Sequence, residues 1–194
     1  WQAELDHAIA LRTAADRPVG LFLSSGIDST VLASRLAEQG YRNIQTFTAA
    51  FDNPAMDESG RAAAIAQRLG MANERVAMPA DTVADFAQIV ADLDEPFADP
   101  SSFPTWYLAR AAVESVKVVL CGDGGDEMFA GYKRYRQHLR SAWRRHLPAI
   151  GALRPASAVC PCKGQRLALE ASLSWIDAYP LRFSGIGLSE RAAL

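Results

Sequence analysis

With 194 residues, 49% of them hydrophobic and 22% charged, the chain is long enough to bury one substantial core with an appendage. A formal net charge of −2 provides no basic footprint for a nucleic-acid backbone, and no apolar run reaches the length of a membrane span. Three cysteines, Cys121, Cys160 and Cys162, are too few and too oddly placed for a disulfide framework and suit a reducing cytoplasm.

The chain opens at Trp1 rather than at Met, with no signal or transit pattern, and is read as a fragment. Residues 3–15 carry Leu5, Ala8, Ile9 and Leu11 at helical spacing, and Asp16-Arg17-Pro18 closes that helix, a lid on the sheet that follows. Residues 19–23 are an apolar strand that breaks into Ser24-Ser25-Gly26-Ile27-Asp28-Ser29 before an amphipathic helix over 30–39, with Val31, Leu32 and Leu36 inward and Gly40 as its stop. Such a strand–loop–helix junction gathers backbone N–H groups, hydroxyls and a helix N-terminus where phosphate binds, and it also describes an ordinary βα turn with a Ser or Asp cap. On this stretch alone both readings stand.

Residues 44–51 form a second strand, 57–69 a helix with Ala62, Ile65, Ala66 and Leu69 as its buried stripe, 74–78 a third strand and 82–93 a third crossover helix. Asp57 and Glu58 at a helix start read as capping acids. Three prolines within residues 94–104 predict a rigid loop with Asp94, Glu95 and Asp99 shaping one side of a site. A helix over 105–114 leads to residues 116–121, the most uniformly apolar strand and hence a predicted central one. It ends in Gly122-Asp123-Gly124-Gly125-Asp126-Glu127, which by itself reads either as a site loop or as a Gly-rich turn with a capping acid.

Basic residues over 133–145 read as a solvated helix face, and His7, His138 and His146 as surface residues without metal-ligand spacing. Cys160-Pro161-Cys162 is too tight for half of a zinc site. Trp106, Tyr107, Trp143 and Trp175 are expected in the core or at interfaces. Domain organisation follows as an α/β domain over residues 1–145 and an incomplete helical extension over 146–194.

Alternating strands and helices predict a doubly wound, mainly parallel sheet. If the first strand is central and strands two and three wind to one side, the fourth returns to its other side, and ligands collect at that switch point. Ser24, Ser25, Gly26 and Ser29 would then be phosphate ligands, with Asp28 and Asp126 as a hard-cation pair suited to magnesium. Neither G-x-x-x-x-G-K-[ST] nor G-x-G-x-x-G is present.

Ser24-Ser25-Gly26-Ile27-Asp28-Ser29 resembles the S-G-G-x-D-S pyrophosphate loop of the N-type ATP pyrophosphatases. With Asp57-Glu58-Ser59, Asp94-Glu95-Pro96-Phe97-Ala98-Asp99-Pro100-Ser101 and Gly122-Asp123-Gly124-Gly125-Asp126-Glu127-Met128-Phe129-Ala130-Gly131-Tyr132, the chain resembles the C-terminal synthetase domain of glutamine-hydrolysing asparagine synthetases. The resemblance covers residues 2–135 and weakens beyond them. It implies the adenine nucleotide alpha hydrolase-like fold and an AMP-forming ligase. ATP adenylates the side-chain carboxylate of aspartate, pyrophosphate leaves, and ammonia displaces AMP to give asparagine. ATP and Mg²⁺ are the implied cofactors, with Asp28 and Asp126 holding the metal. Ser24, Ser25, Gly26, Ser29 and Gly124 belong to the pyrophosphate machinery by the same carry-over, and Leu23, Ala49 and Gly122 line the adenine and ribose pocket. Asp123 stands where many members carry Glu, close to the acyl adenylate, and orients or deprotonates ammonia; Asp126 is counted with it as catalytic.

Two departures matter. Ser25 stands where the pattern has Gly, so its Cβ either crowds the pyrophosphate or redirects the loop, while its hydroxyl offers a donor. The glutaminase half with its nucleophilic cysteine is absent from the sequence, and so are later helices that contribute a lysine, so the fragment alone is expected to bind nucleotide weakly or be inactive. Implied partners are small molecules, ATP, aspartate and ammonia from glutamine, with a homodimer allowed. The alternatives are an amidotransferase or β-lactam synthetase-like enzyme acting on another carboxylate, and a degenerate nucleotide-binding domain.

Overall fold

The computed structural model describes residues 1–95, 97, 99–143, 170 and 172–176. The chain divides into two compact units, Trp1–Asp123 and Gly124–Leu194. The expected domain boundary between residues 145 and 146, His146, Cys160, Cys162 and most of the helical extension lie outside the described residues.

In the first unit the elements run α1 (Gln2–Thr13), β1 (Val19–Phe22), α2 (Ile27–Glu38), β2 (Gln45–Ala50), α3 (Ser59–Leu69), β3 (Ala72–Ala77), α4 (Phe86–Leu93), α5 (Ser102–Ala112) and β4 (Val118–Leu120). The four strands form one sheet in the order β3-β2-β1-β4, with every neighbouring pair parallel. Leu21 sits opposite both Thr46 of β2 and Leu120 of β4. The expected reversal is therefore present: the chain winds outward from β1 through β2 and β3, then crosses back to lay β4 on the far side of β1.

Side-chain alternation along the strands sorts the core into two faces. Leu21, Leu23 and Leu120 pack with Ile9 of α1, Ala33, Leu36 and Ala37 of α2, and Ala62 and Ala66 of α3. On the opposite face Phe22, Phe47, Val76 and Val119 meet Leu108 and Ala112 of α5 and Val116. Leu21, Leu36 and Phe47 are wholly buried, each removal from water being worth about 1.5–3 kcal/mol. Alanines carry much of the helix-to-sheet contact because small side chains let α2 and α3 approach the sheet closely. α1 is fastened to α2 by the Arg35 guanidinium, which donates to both carboxylate oxygens of Asp6 at 2.7 and 2.6 Å and holds that carboxyl below its ordinary range.

Three expectations are corrected in detail. β4 is an edge strand among the described residues, and Val118 is 41% exposed, although its sequence is the most uniformly apolar. α5 starts at Ser102, so Pro104 lies inside its first turn, where the missing N–H costs no intrahelical bond. His138, expected at the surface, is 5% exposed and stacks on Trp175 with ring centroids 4.1 Å apart.

α5 is positioned by two bonds to α4 and its N-terminal flank. The Tyr107 hydroxyl donates to Asp85 at 2.6 Å, and the Trp106 indole N–H donates to Asp92 at 2.7 Å. The second unit begins with Gly124 at φ 91°, which N-caps α6 (Gly125–Phe129), followed by α7 (Lys133–Arg140). Left-handed backbone at that cap is what glycine tolerates best. No helix among the described residues is long and apolar enough to cross a membrane.

Candidate functional site: a cleft at the carboxyl edge of β1 and β4

The first strand reaches the site on a fixed footing. Leu23 donates its N–H to Phe47 O at 2.9 Å, and its carbonyl accepts from the buried Thr48 hydroxyl at 2.7 Å. The Asn73 side-chain amide in turn donates to the Thr48 and Thr46 hydroxyls at 2.9 and 2.8 Å. One polar ladder across β3, β2 and β1 thus sets where the chain leaves the sheet.

Residues 24–29 then close on themselves. The Ser24 N–H donates to Ser29 Oγ at 3.1 Å, the two serine hydroxyls are 2.9 Å apart, and Gly26 N–H donates to Ser24 Oγ at 3.1 Å. Gly26 is the N-cap of α2 with extended backbone, φ −69° and ψ 156°, and contributes no side-chain cap. The first-turn amides of α2 have no acceptor within the helix, so this end presents N–H groups and the positive end of the helix dipole. Asp28 stands on that first turn, exposed, and its carboxylate takes no hydrogen bond among the described residues.

The loop after β4 meets this turn by shape. A Cβ added at Gly122 would lie 2.8 Å from the Ser29 backbone nitrogen and 3.1 Å from Asp28 Cβ. Only a residue without a side chain passes there. Beside it the Cys121 thiol, pushed up in pKa by burial, donates to Asp123 Oδ2 at 3.2 Å.

Between the two loops lies a cleft of about 600 Å³, a size suited to a small-molecule ligand. Its lining includes Leu23, Ser24, Gly26, Asp28, Ser29, Ala49, Gly122 and Asp123, eight of the residues picked out from the sequence. Residues not assigned to the site from the sequence also line it: Thr105 and Leu108 from α5, Phe51 and Met56 from the segment after β2, and Glu58, which the sequence alone reads as a capping acid. Glu58 carries the signal of the Asp57-Glu58-Ser59 match; for the other four the sequence signal is position, since each follows a strand or belongs to the crossover that covers the sheet's second face.

Ser25 does not line the cleft. Its hydroxyl and its N–H both donate to Glu58 Oε2, at 2.7 and 3.2 Å, while Glu58 Oε1 lies 3.8 Å from the Arg61 guanidinium. Glu58 occupies the N-cap position of α3 and makes no side-chain cap bond, contrary to its reading as a capping acid. Asp57 serves in its place, its Oδ1 accepting from the Ser59 N–H at 3.1 Å and the Phe51 N–H at 3.3 Å. Hydrogen bonds from Ser59, through hydroxyl and backbone, hold the Asp57 carboxyl below its ordinary value. Asp99 likewise accepts from the Ser101 N–H at 2.9 Å just before α5 and is lowered by it.

Gly124 and Asp126 belong to the second unit. There the Asp126 carboxylate lies over Gly131, whose added Cβ would come 1.9 Å from Asp126 Oδ1. The Tyr132 hydroxyl donates to Glu127 at 2.6 Å and lowers the Glu127 pKa, and the Arg134 guanidinium lies 4.0 Å from the Tyr132 ring centroid.

No cluster of three or more His, Cys, Asp or Glu side chains suited to a metal occurs among the described residues. A cation that keeps several waters and takes phosphate oxygens needs fewer protein ligands, and the unbonded oxygens of Asp28 are the hard donors it prefers.

Known proteins are similar to this chain over much of its length. The asparagine synthase family model matches residues 1–181. A Mycobacterium tuberculosis protein provisionally named a glutamine-hydrolysing asparagine synthetase is 43% identical over 138 residues, covering 71% of this chain and 21% of its own length. Glutamine-hydrolysing asparagine synthetase 1 of Bacillus subtilis is 35% identical over 133 residues, 68% of this chain and 21% of that protein. The Penicillium rubens amidase chyE is 34% identical over 160 residues, 74% and 24% of the two chains. The chain therefore spans about a fifth to a quarter of the length of these relatives.

Proposed function

Since the chain belongs to the asparagine synthase family, we propose that its cleft binds ATP and that the protein spends it on amide synthesis: adenylation of the aspartate side-chain carboxylate, loss of pyrophosphate, and ammonia attack to give asparagine and AMP. The observation that carries this reading is the self-closed loop of residues 24–29 facing Gly122 and Asp123 across one cleft at the β1/β4 reversal.

Each residue has a part in that reaction. Ser24, Gly26 and Ser29 with the first-turn amides of α2 donate to the pyrophosphate as its charge develops, and their mutual hydrogen bonds fix them before substrate arrives. Leu23, Ala49 and Gly122 bound the adenine and ribose side. Asp123 sits at the mouth of the second loop, where a carboxylate orients ammonia and takes its proton. Asp28 and Asp126 would hold Mg²⁺, which when bound offsets phosphate charge. Gly124 gives the second loop its left-handed turn into α6.

In this reading residues 1–145 form the synthetase domain, with 146–194 extending it. A glutaminase supplies ammonia from glutamine, the reaction runs in the cytoplasm, and a homodimer is allowed. The test combines binding with turnover. MgATP titrated calorimetrically into the chain should bind, and Asp28→Asn should weaken it at least about tenfold with the fold intact by circular dichroism. Turnover by the protein with its glutaminase and remaining helices should yield AMP and pyrophosphate only with aspartate and ammonia. No MgATP binding by folded chain overturns the cleft assignment, and turnover that ignores aspartate but follows another acid replaces the substrate.

A further inference from the structure

Resting on the reading of the cleft as an ATP site, we propose that Ser25 is a positioning residue: it latches the phosphate loop to the start of α3 through Glu58 and donates nothing to the phosphates. Ser25 is the one residue of the loop that departs from the pyrophosphate pattern, and it is also the one whose donors point elsewhere. Both of them end on a single oxygen, Glu58 Oε2. Its neighbours Ser24 and Gly26 line the 600 Å³ cleft, whereas Ser25 lines a shallow groove of about 360 Å³ with Arg61, Ala64, Ile65 and Arg68 of α3.

The far end of the latch is itself fixed. Asp57 ties the turn before α3 to Phe51, just beyond β2, by accepting from the Phe51 and Ser59 N–H groups. Glu58 follows it directly, so a continuous run of bonds leads from the end of β2 through Asp57 and Glu58 to Ser25. The carboxylate needed for this would oppose a pyrophosphate nearby. Two donors from Ser25 on one oxygen and the Arg61 guanidinium 3.8 Å from the other offset its charge. The side chain that the pattern's glycine lacks therefore finds room by turning outward, and the loop keeps its path over the cleft.

The latch and a direct phosphate contact predict different couplings. In calorimetric titrations with MgATP, Ser25→Ala and Glu58→Ala should each weaken binding about tenfold, and the double variant no further than either alone. Glu58→Gln should bind as well as the unsubstituted chain, because its amide oxygen still accepts both donors. If Ser25→Ala weakens binding equally in the Glu58→Ala background, Ser25 touches phosphate and the latch is wrong; so it is if Ser25→Ala changes nothing. Amide hydrogen exchange without nucleotide separates this from the cleft reading. Glu58→Ala should speed exchange at the Ser25 N–H about tenfold, and Glu58→Gln should restore it. A chain that binds no MgATP yet shows this exchange pattern keeps the latch and loses the cleft assignment, while unchanged exchange overturns the latch whatever the chain binds.

Discussion

The two loops at the carboxyl edge of the sheet reach order by opposite means. Residues 24–29 are held by added donors and acceptors: two serines bonded to each other, a glycine N–H closing on one of them, and a glutamate outside the loop taking two more bonds. Gly122, on the other side of the cleft, is placed by an omission, since the space a side chain would need is filled by the backbone of α2's first turn. The lesson is that preorganisation can be built from hydrogen bonds or from missing atoms, and that the two respond to different damage. One fails when a polar group is deleted, the other when a methyl group is added.

The largest blow falls on the omitted side chain. Gly122→Ala drives a Cβ to 2.8 Å from backbone, which cannot rotate away, and should cost about 3 kcal/mol in urea unfolding while abolishing MgATP binding. A neutral outcome would mean that α2 shifts freely. Thr48→Val attacks the other loop from beneath. Thr48 is 2% exposed, and its loss leaves the Leu23 carbonyl and an Asn73 N–H without their partner, for about 2 kcal/mol by the same measurement.

The smallest effect is the share of the pH dependence that comes from Asp57, at the far end of the contact that holds Ser25. Asp57 has a folded pKa depressed below the ordinary 3.8, so its contribution is present above that value and is lost as pH falls through the depressed one. Unfolding followed from about pH 6 down to pH 2 should therefore show a shallower acid limb for Asp57→Asn than for the unsubstituted chain, and identical slopes would remove Asp57 from the latch.

Much of this is legible in the amino-acid order alone. Apolar runs and periodicity locate every strand and helix of the first unit, and the alternation of the two types implies the reversal that puts β4 beside β1. Both loops stand out because small residues interrupt apolar strands there. What stays hidden is set by distant partners. Nothing near Ser25 indicates that Glu58, 33 residues on, collects its donors. Nothing in residues 118–120 tells an edge strand from a central one, because apolarity reports burial of faces and not the number of neighbours. Thr105 and Leu108 reach the cleft only because Tyr107 and Trp106 fasten α5 to Asp85 and Asp92, contacts 22 and 14 residues apart in sequence. Pro104 misleads for a local reason: a proline marks a helix beginning as readily as a helix end.

The contact between Asp126 and Gly131 bears on how a carboxylate can be aimed. An acid steered by hydrogen bonds gives up lone pairs to the groups that steer it, and its direction changes when those groups titrate. Asp126 takes no hydrogen bond on its carboxylate among the described residues and rests against a bare Cα. The room that Gly131 leaves by lacking a side chain is where this carboxylate lies, and its oxygen lone pairs stay uncommitted to any hydrogen bond among the described residues.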